Sequence, residues 1–164
     1  MAITKMSQLQ KLLQSRIQIA LQNTRDEIYA VVKKHIVAYY QEKVFRDGST
    51  NIPVIYERTN QFLESLIKTQ VVTVGNSLSC KVQIDEDYLN YSYPGNPNWE
   101  SNVPATGRDV ATWANESSHA HTHGYTVAGR SSWWNDAMKE LGGKQGIYNI
   151  MKKNLKAVGI PLSK

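Results

Sequence analysis

The chain has 164 residues, 19 Lys and Arg against 14 Asp and Glu, and one cysteine. A compact fold of that length buries roughly 70% of its unfolded surface, so one domain with a real core is expected without disulfide or metal staples. Cys80 alone excludes an intramolecular disulfide framework and fits a reducing compartment, while the polar residues that interrupt Met1 to Val44 argue against a signal peptide or a membrane span. The net charge of +5 is modest and uneven: residues 1–45 carry 7 basic and 3 acidic groups, 46–100 carry 4 and 7, and 101–164 carry 8 and 4. That alternation of sign suits protein partners at least as well as nucleic acid.

Ser7 and Gln10 have the spacing of a capping box and open a helix. Leu9, Leu13, Ile17, Ala20, Ile28, Val31, Ile36 and Tyr39 then recur at helical spacing, with Lys11, Gln14, Arg25, Lys33 and Lys43 between them. No Gly or Pro occurs before Gly48, so the helix can run to about Val44, roughly 57 Å at 1.5 Å per residue. A compact chain of this size has a radius of gyration of only about 15 Å. The helix must therefore bend, break near Asn23 to Asp26, or overhang the domain; an overhang implies an oligomer.

Residues 46–53 form a turn-rich connector. Beyond it the sequence predicts a helix capped at Thr59 or Asn60, with Phe62, Leu63, Leu66 and Ile67 on its buried side. Thr69–Val74 and Leu78–Ile84 read as antiparallel strands joined by Gly75-Asn76. In the second strand Leu78, Cys80, Val82 and Ile84 share the apolar face, where Cys80 serves as a small hydrophobe. From 85 to 107 periodicity disappears, and three prolines accompany Tyr88, Tyr91, Tyr93 and Trp99. A loop of this length with so many aromatics is expected to pack against a neighbouring surface.

A short helix is predicted over Arg108–Glu116. Another follows Gly129-Arg130-Ser131-Ser132, capped by Ser131 or Ser132 and ended by Gly142-Gly143. Within it Trp133 or Trp134 should align with Ala137 and Leu141. Adjacent helical residues point about 100° apart, so both tryptophans cannot be equally central and one is an edge or interface anchor. A last helix spans Lys144–Val158, with Ile147, Met151, Leu155 and Val158 inward and Lys152, Lys153 and Lys156 facing water. Gly159 supplies a left-handed cap and Pro161 prevents continuation.

His119, His121 and His123 are the metal-ligand candidates, since alternating imidazoles share one face of an extended segment. The acids nearby, Asp109 and Glu116, make no metal motif with them, and Gly124 marks a turn in which the alternation fails. No nucleophile elbow, phosphate loop or dinucleotide fingerprint is present, so neither a catalytic residue nor a cofactor is expected.

The long N-terminal helix, the run Tyr56-Glu57-Arg58-Thr59-Asn60-Gln61-Phe62-Leu63-Glu64-Ser65-Leu66, the paired strands, His123-Gly124-Tyr125 and Gly129-Arg130-Ser131-Ser132-Trp133-Trp134 together resemble tail-completion or head-tail joining (neck) proteins of tailed bacteriophages. Asn60 stands where that family usually has Gly. The resemblance implies an α+β subunit, a small antiparallel sheet packed with a long N-terminal helix and shorter C-terminal helices. It further implies a homo-oligomeric ring between portal or adaptor and tail tube or tail terminator, assembled in the host cytoplasm and retained in the virion, with genome DNA passing its channel.

On that reading the protein is not an enzyme. The 85–107 loop and the exposed part of the first helix carry the contacts, and Tyr88, Tyr91, Tyr93, Trp99, Trp133 and Trp134 are the interface candidates. The alternatives are a metal-dependent enzyme using the three histidines, and a nucleic-acid-binding accessory protein using Lys33, Lys34, Lys152, Lys153 and Lys156.

Overall fold

The computed structural model describes residues 6–41, 44–46, 61–75, 77–89, 106–116, 125–127 and 132–162. The fold is α+β and mostly helical. Helix α1 spans Met6–Gln41, followed by strand β1, Val44–Arg46, and the single turn α2, Gln61–Glu64. Strands β2 (Leu66–Lys68), β3 (Val72–Val74), β4 (Ser77–Ser79) and β5 (Val82–Ile84) come next. Helix α3 (Gly107–Glu116), strand β6 (Tyr125–Val127) and helices α4 (Trp133–Glu140) and α5 (Gly143–Ala157) complete the order.

Helix α1 is unbroken through Asn23–Asp26, as the absence of Gly and Pro allows. The predicted middle helix is corrected: it stops at Glu64, and Leu66–Lys68 is a strand paired with β5. Ser65 explains the switch. Its hydroxyl donates to the Phe62 carbonyl at 2.7 Å, while its own carbonyl accepts the Asp85 N–H at 2.7 Å instead of continuing a helical ladder. Phe62 and Leu66 are nevertheless buried, as expected from the pattern. Strand β1 pairs antiparallel with β6, Phe45 opposite Thr126.

The hairpin carries a bulge that the sequence does not announce. Val72 faces Ser79 and Val74 faces Ser77 across β3 and β4, leaving two residues for the turn, with Gly75 at a φ of 58°. Further down, the Thr69 N–H donates to the Lys81 carbonyl at 2.9 Å. Between these pairs Gln70 and Val71 on one strand oppose Cys80 alone on the other, the two-against-one count of a β-bulge. In a regular pair the Lys81 N–H would return to the Thr69 carbonyl. Here it goes to Thr69 Oγ1 at 2.9 Å, and the freed carbonyl accepts from Arg25 Nη1 at 2.7 Å.

The residues group into two compact units. The first comprises residues 1–31, 68–82 and 139–164, the second 32–67 and 83–138.

In the first unit, α1 and α5 lie side by side and antiparallel: Arg16 reaches the Gly159 carbonyl, Thr24 meets Met151 and Asn154, and Glu27 meets Lys153 and Asn154. Asn154, buried on α5, donates to Thr24 Oγ1 at 3.1 Å and to Glu27 Oε1 at 3.0 Å. Thr24 in turn donates to the Ala20 carbonyl at 2.8 Å, so the seam is hydrogen-bonded rather than oily. Lys153 faces water as predicted, and its ammonium also bonds Glu27 Oε2 at 2.5 Å. Helix α5 ends as predicted at Gly159, φ 76°: the Ile160 N–H bonds Leu155 O and the Gly159 N–H bonds Lys156 O, the paired bonds of a Schellman cap.

The hairpin docks on the same helix. Lys68 bonds Asp26 at 2.9 Å and lies over the Tyr29 ring, Arg25 takes the Thr69 carbonyl, and Cys80 approaches the Leu21 carbonyl at 3.9 Å. Burial pushes the Cys80 thiol up, away from the thiolate, consistent with a packing role.

Asp26 is held below the ordinary carboxylate value chiefly by its hydrogen bond to Lys68, aided by Arg25. Glu27 is held down chiefly by Lys153, aided by Asn154. Both folded values lie below those of the unfolded chain, near 3.8 and 4.5. Their contribution to stability is therefore complete above the unfolded values and lost as pH falls through the folded ones. The thermal midpoint should decline once pH drops below about 4.5, and Asp26→Asn with Glu27→Gln should flatten that decline. Melting curves collected across pH 2 to 7 measure it.

In the second unit, Phe62, Leu66, Leu89, Trp133 and Ala137 are buried. Gly107 opens α3 where no side chain fits: a Cβ there would lie 2.6 Å from the Leu89 carbonyl oxygen and against that of Glu86. Thr106 caps this helix in a reciprocal box with Asp109, whose carboxylate accepts from the Thr106 N–H at 2.7 Å and hydroxyl at 2.6 Å.

Candidate interaction surface

In the first unit the contact register between α1 and α5 brings Arg16 opposite Gly159, past the end of α5. The turns of α1 from Met6 to Ser15, roughly 15 Å of helix, thus extend beyond that partner helix. Leu9, Leu12 and Leu13 lie on these turns at i, i+3 and i+4, each more than a third exposed, and Ile19 is exposed further along. The first acidic residue on α1 is Asp26, so the overhanging turns combine leucine with Lys11 and no negative charge. The spacing of Leu9 and Leu13 was readable as an amphipathic face. That this face remains more than a third exposed, and that Leu12 joins it, required the structure.

The hairpin contributes further apolar surface to this unit. Its anchors step from Tyr29 and Asp26 through Arg25 to Leu21 as the chain moves from Lys68 through Thr69 to Cys80. The β3–β4 end therefore points along α1 toward its N-terminus. Val72 and Val74 at that end are exposed. Ordinary monomers show scattered exposed apolar residues, whereas Leu9, Leu12 and Leu13 are clustered on adjacent turns of one helix.

In the second unit the paired tryptophans take different places. Trp133 is 4% exposed and meets the Phe62 ring edge-on, centroids 5.6 Å apart at 70°. Trp134 is 41% exposed and packs edge-on against Trp133 at 5.8 Å. Ser132 caps their helix, its hydroxyl accepting the Asn135 N–H at 3.1 Å, which fixes which tryptophan turns inward. Tyr88 is exposed, and its hydroxyl donates to Glu64 Oε2 at 2.9 Å, which raises the phenol's pKa. Gln61 donates to the Tyr88 carbonyl, so this corner with Glu86 and Asp87 is both acidic and aromatic.

Tyr91, Tyr93 and Trp99 lie outside the described residues, as do His119, His121 and His123. Among the described residues no group of three His, Cys, Asp or Glu is placed to hold a metal ion. No described helix is long and apolar enough to cross a membrane.

The outward face of α5 was missed in part by sequence reading, which noticed its later lysines but not their row. Lys144, Tyr148, Lys152 and Lys156 recur every fourth residue, and Tyr148 is 53% exposed, with the Lys152 ammonium 4.8 Å from its ring centroid. Gln145 and Asn149 flank the row and bond each other at 3.3 Å.

The described residues of this α+β chain thus present exposed apolar side chains on α1 and a basic row on α5. The YomN family model matches residues 5–157, and the chain belongs to that family. The family is phage-derived, of the Bacillus-phage type, which points to a phage protein. No curated protein and no solved structure is significantly similar to the chain.

Proposed function

We propose that the protein is a non-enzymatic virion structural protein that joins head and tail, as a tail-completion or neck ring subunit. The observation that carries this reading is the leucine face on the N-terminal turns of α1, where Leu9, Leu12 and Leu13 are each more than a third exposed. A phage-derived family supports the setting, and the resemblance to tail-completion proteins supports the position. A ring needs heterologous contacts, in which one face of each subunit meets a different face of the next. The overhanging turns offer the apolar, basic face. The corner with Glu64, Glu86, Asp87 and Tyr88 offers an acidic surface of the complementary kind.

The test has two parts. Native mass spectrometry of the purified chain should give a closed oligomer, and Leu12→Glu with Leu13→Glu should give a monomer that stays folded by circular dichroism, because both side chains are more than a third exposed. In infected cells the same variant should leave filled heads and free tails unjoined. Infectious particles formed normally by that variant would overturn the assignment.

A further inference from the structure

We propose that the outward face of α5 binds the phosphate backbone of duplex DNA. The inference stands independently of the assembly reading, since it uses a different face of the first unit. Helix α5 contains no acidic residue between Gly143 and Ala157. Lys144, Lys152 and Lys156 project from one face in register with Tyr148, and none of the three lysines makes an ion pair among the described residues. Lys153, one position off the row, is instead occupied by Glu27. From Lys144 to Lys156 the row spans roughly 18 Å, comparable to about five base-pair steps at 3.4 Å each.

The charge balance of the unit points the same way. Its described residues include ten Lys and Arg against three Asp and Glu, whereas those of the second unit include four against seven. Two of the three acids, Asp26 and Glu27, are held in ion pairs with Arg25, Lys68 and Lys153. Little negative charge is left to neutralise the row from within.

Its composition separates a polyanion from a protein partner. Interface cores between proteins are depleted in lysine and built on apolar anchors, and the apolar anchors of this unit are elsewhere, on α1 and the hairpin tip. Phosphate contacts come from Lys, Tyr, Asn and Gln side chains; along α5 Lys144, Gln145, Tyr148, Asn149 and Lys156 are exposed and Lys152 is half-buried. Such contacts carry no base information, so the binding is indifferent to sequence.

The test is fluorescence anisotropy of the full chain with labelled 20-base-pair duplexes of two unrelated sequences, over a fourfold range of salt. Affinity should be equal for both and fall linearly with salt on logarithmic axes. Lys152→Gln with Lys156→Gln should make that slope shallower by about two, so the variant loses roughly tenfold less affinity over the range. Lys152→Arg with Lys156→Arg should restore the slope, and melting curves of all three should coincide. The Leu12→Glu, Leu13→Glu variant separates the two proposals: it should lose assembly but keep the lysine-dependent change in slope. Absence of binding at low salt would overturn the inference. So would an unaltered slope in the Lys152→Gln, Lys156→Gln variant, or loss of the oligomer by that same lysine variant without a change in its DNA binding, which would assign the row to an acidic protein face.

Discussion

Replacing Gly146 by alanine should destabilise the protein by roughly 2 to 3 kcal/mol, against the sign that helix propensity gives. In an exposed helix interior glycine is worse than alanine by about 1 kcal/mol. Gly146, however, sits in the first turn of α5 where the chain has just reversed through Gly142 and Gly143, both at positive φ. Its N–H bonds the Gly142 carbonyl at 3.0 Å, and the reversal puts the Leu141 carbonyl where a side chain on residue 146 would begin. A Cβ there would overlap that oxygen and approach the Leu141 carbonyl carbon to 2.7 Å. These are backbone atoms of a tight turn, so relief requires the two helices to separate. Urea unfolding of Gly146→Ala beside Gly143→Ala distinguishes the causes. The second variant meets nothing within 4 Å and should show only the cost of holding alanine at a φ of 62°.

Trp133→Ala is expected to cost about 3 to 5 kcal/mol, the range for emptying a large aromatic site in a core. The side chain is buried, and its removal loses the edge contact with the Phe62 ring. Its indole N–H meets no acceptor among the described residues. Trp133→Phe should therefore cost much less, since it keeps a ring and removes a buried donor. Trp134→Ala should change stability by about 1 kcal/mol or less, because the ring is already substantially in solvent. If thermal melting gave the two alanine variants the same loss, the distinct placement of the tryptophans would be wrong.

The tryptophans also show what a sequence can and cannot specify. Two adjacent tryptophans on a helix must diverge, so a core partner and an edge partner were implied from the chain alone. Which is which depends on where the helix starts, and either Ser131 or Ser132 fitted the cap. Helix α1, the Gly75 turn and the Gly159 cap were legible because periodicity, turn chemistry and left-handed glycine are local signals. The strand at Leu66–Lys68 was not, because Leu66 and Ile67 fit a helix stripe and a strand equally well and pairing with β5 decided between them. Asn154 escaped notice as a buried residue because a polar side chain in an apolar stripe reads as a gap. Its partners, Thr24 and Glu27, lie far away in sequence.

For a ring subunit of the kind proposed, which has to match identical neighbours, the α1–α5 seam has a mechanical meaning. Two helices joined only by leucines can slide by a turn, about 5.4 Å, and still bury similar surface. Here a slide would separate Asn154 from Thr24 and Glu27 and strand buried amide and hydroxyl groups. The seam acts as a ruler: it sets how far the leucine-bearing end of α1 reaches past its partner helix, and it sets the same reach in every copy.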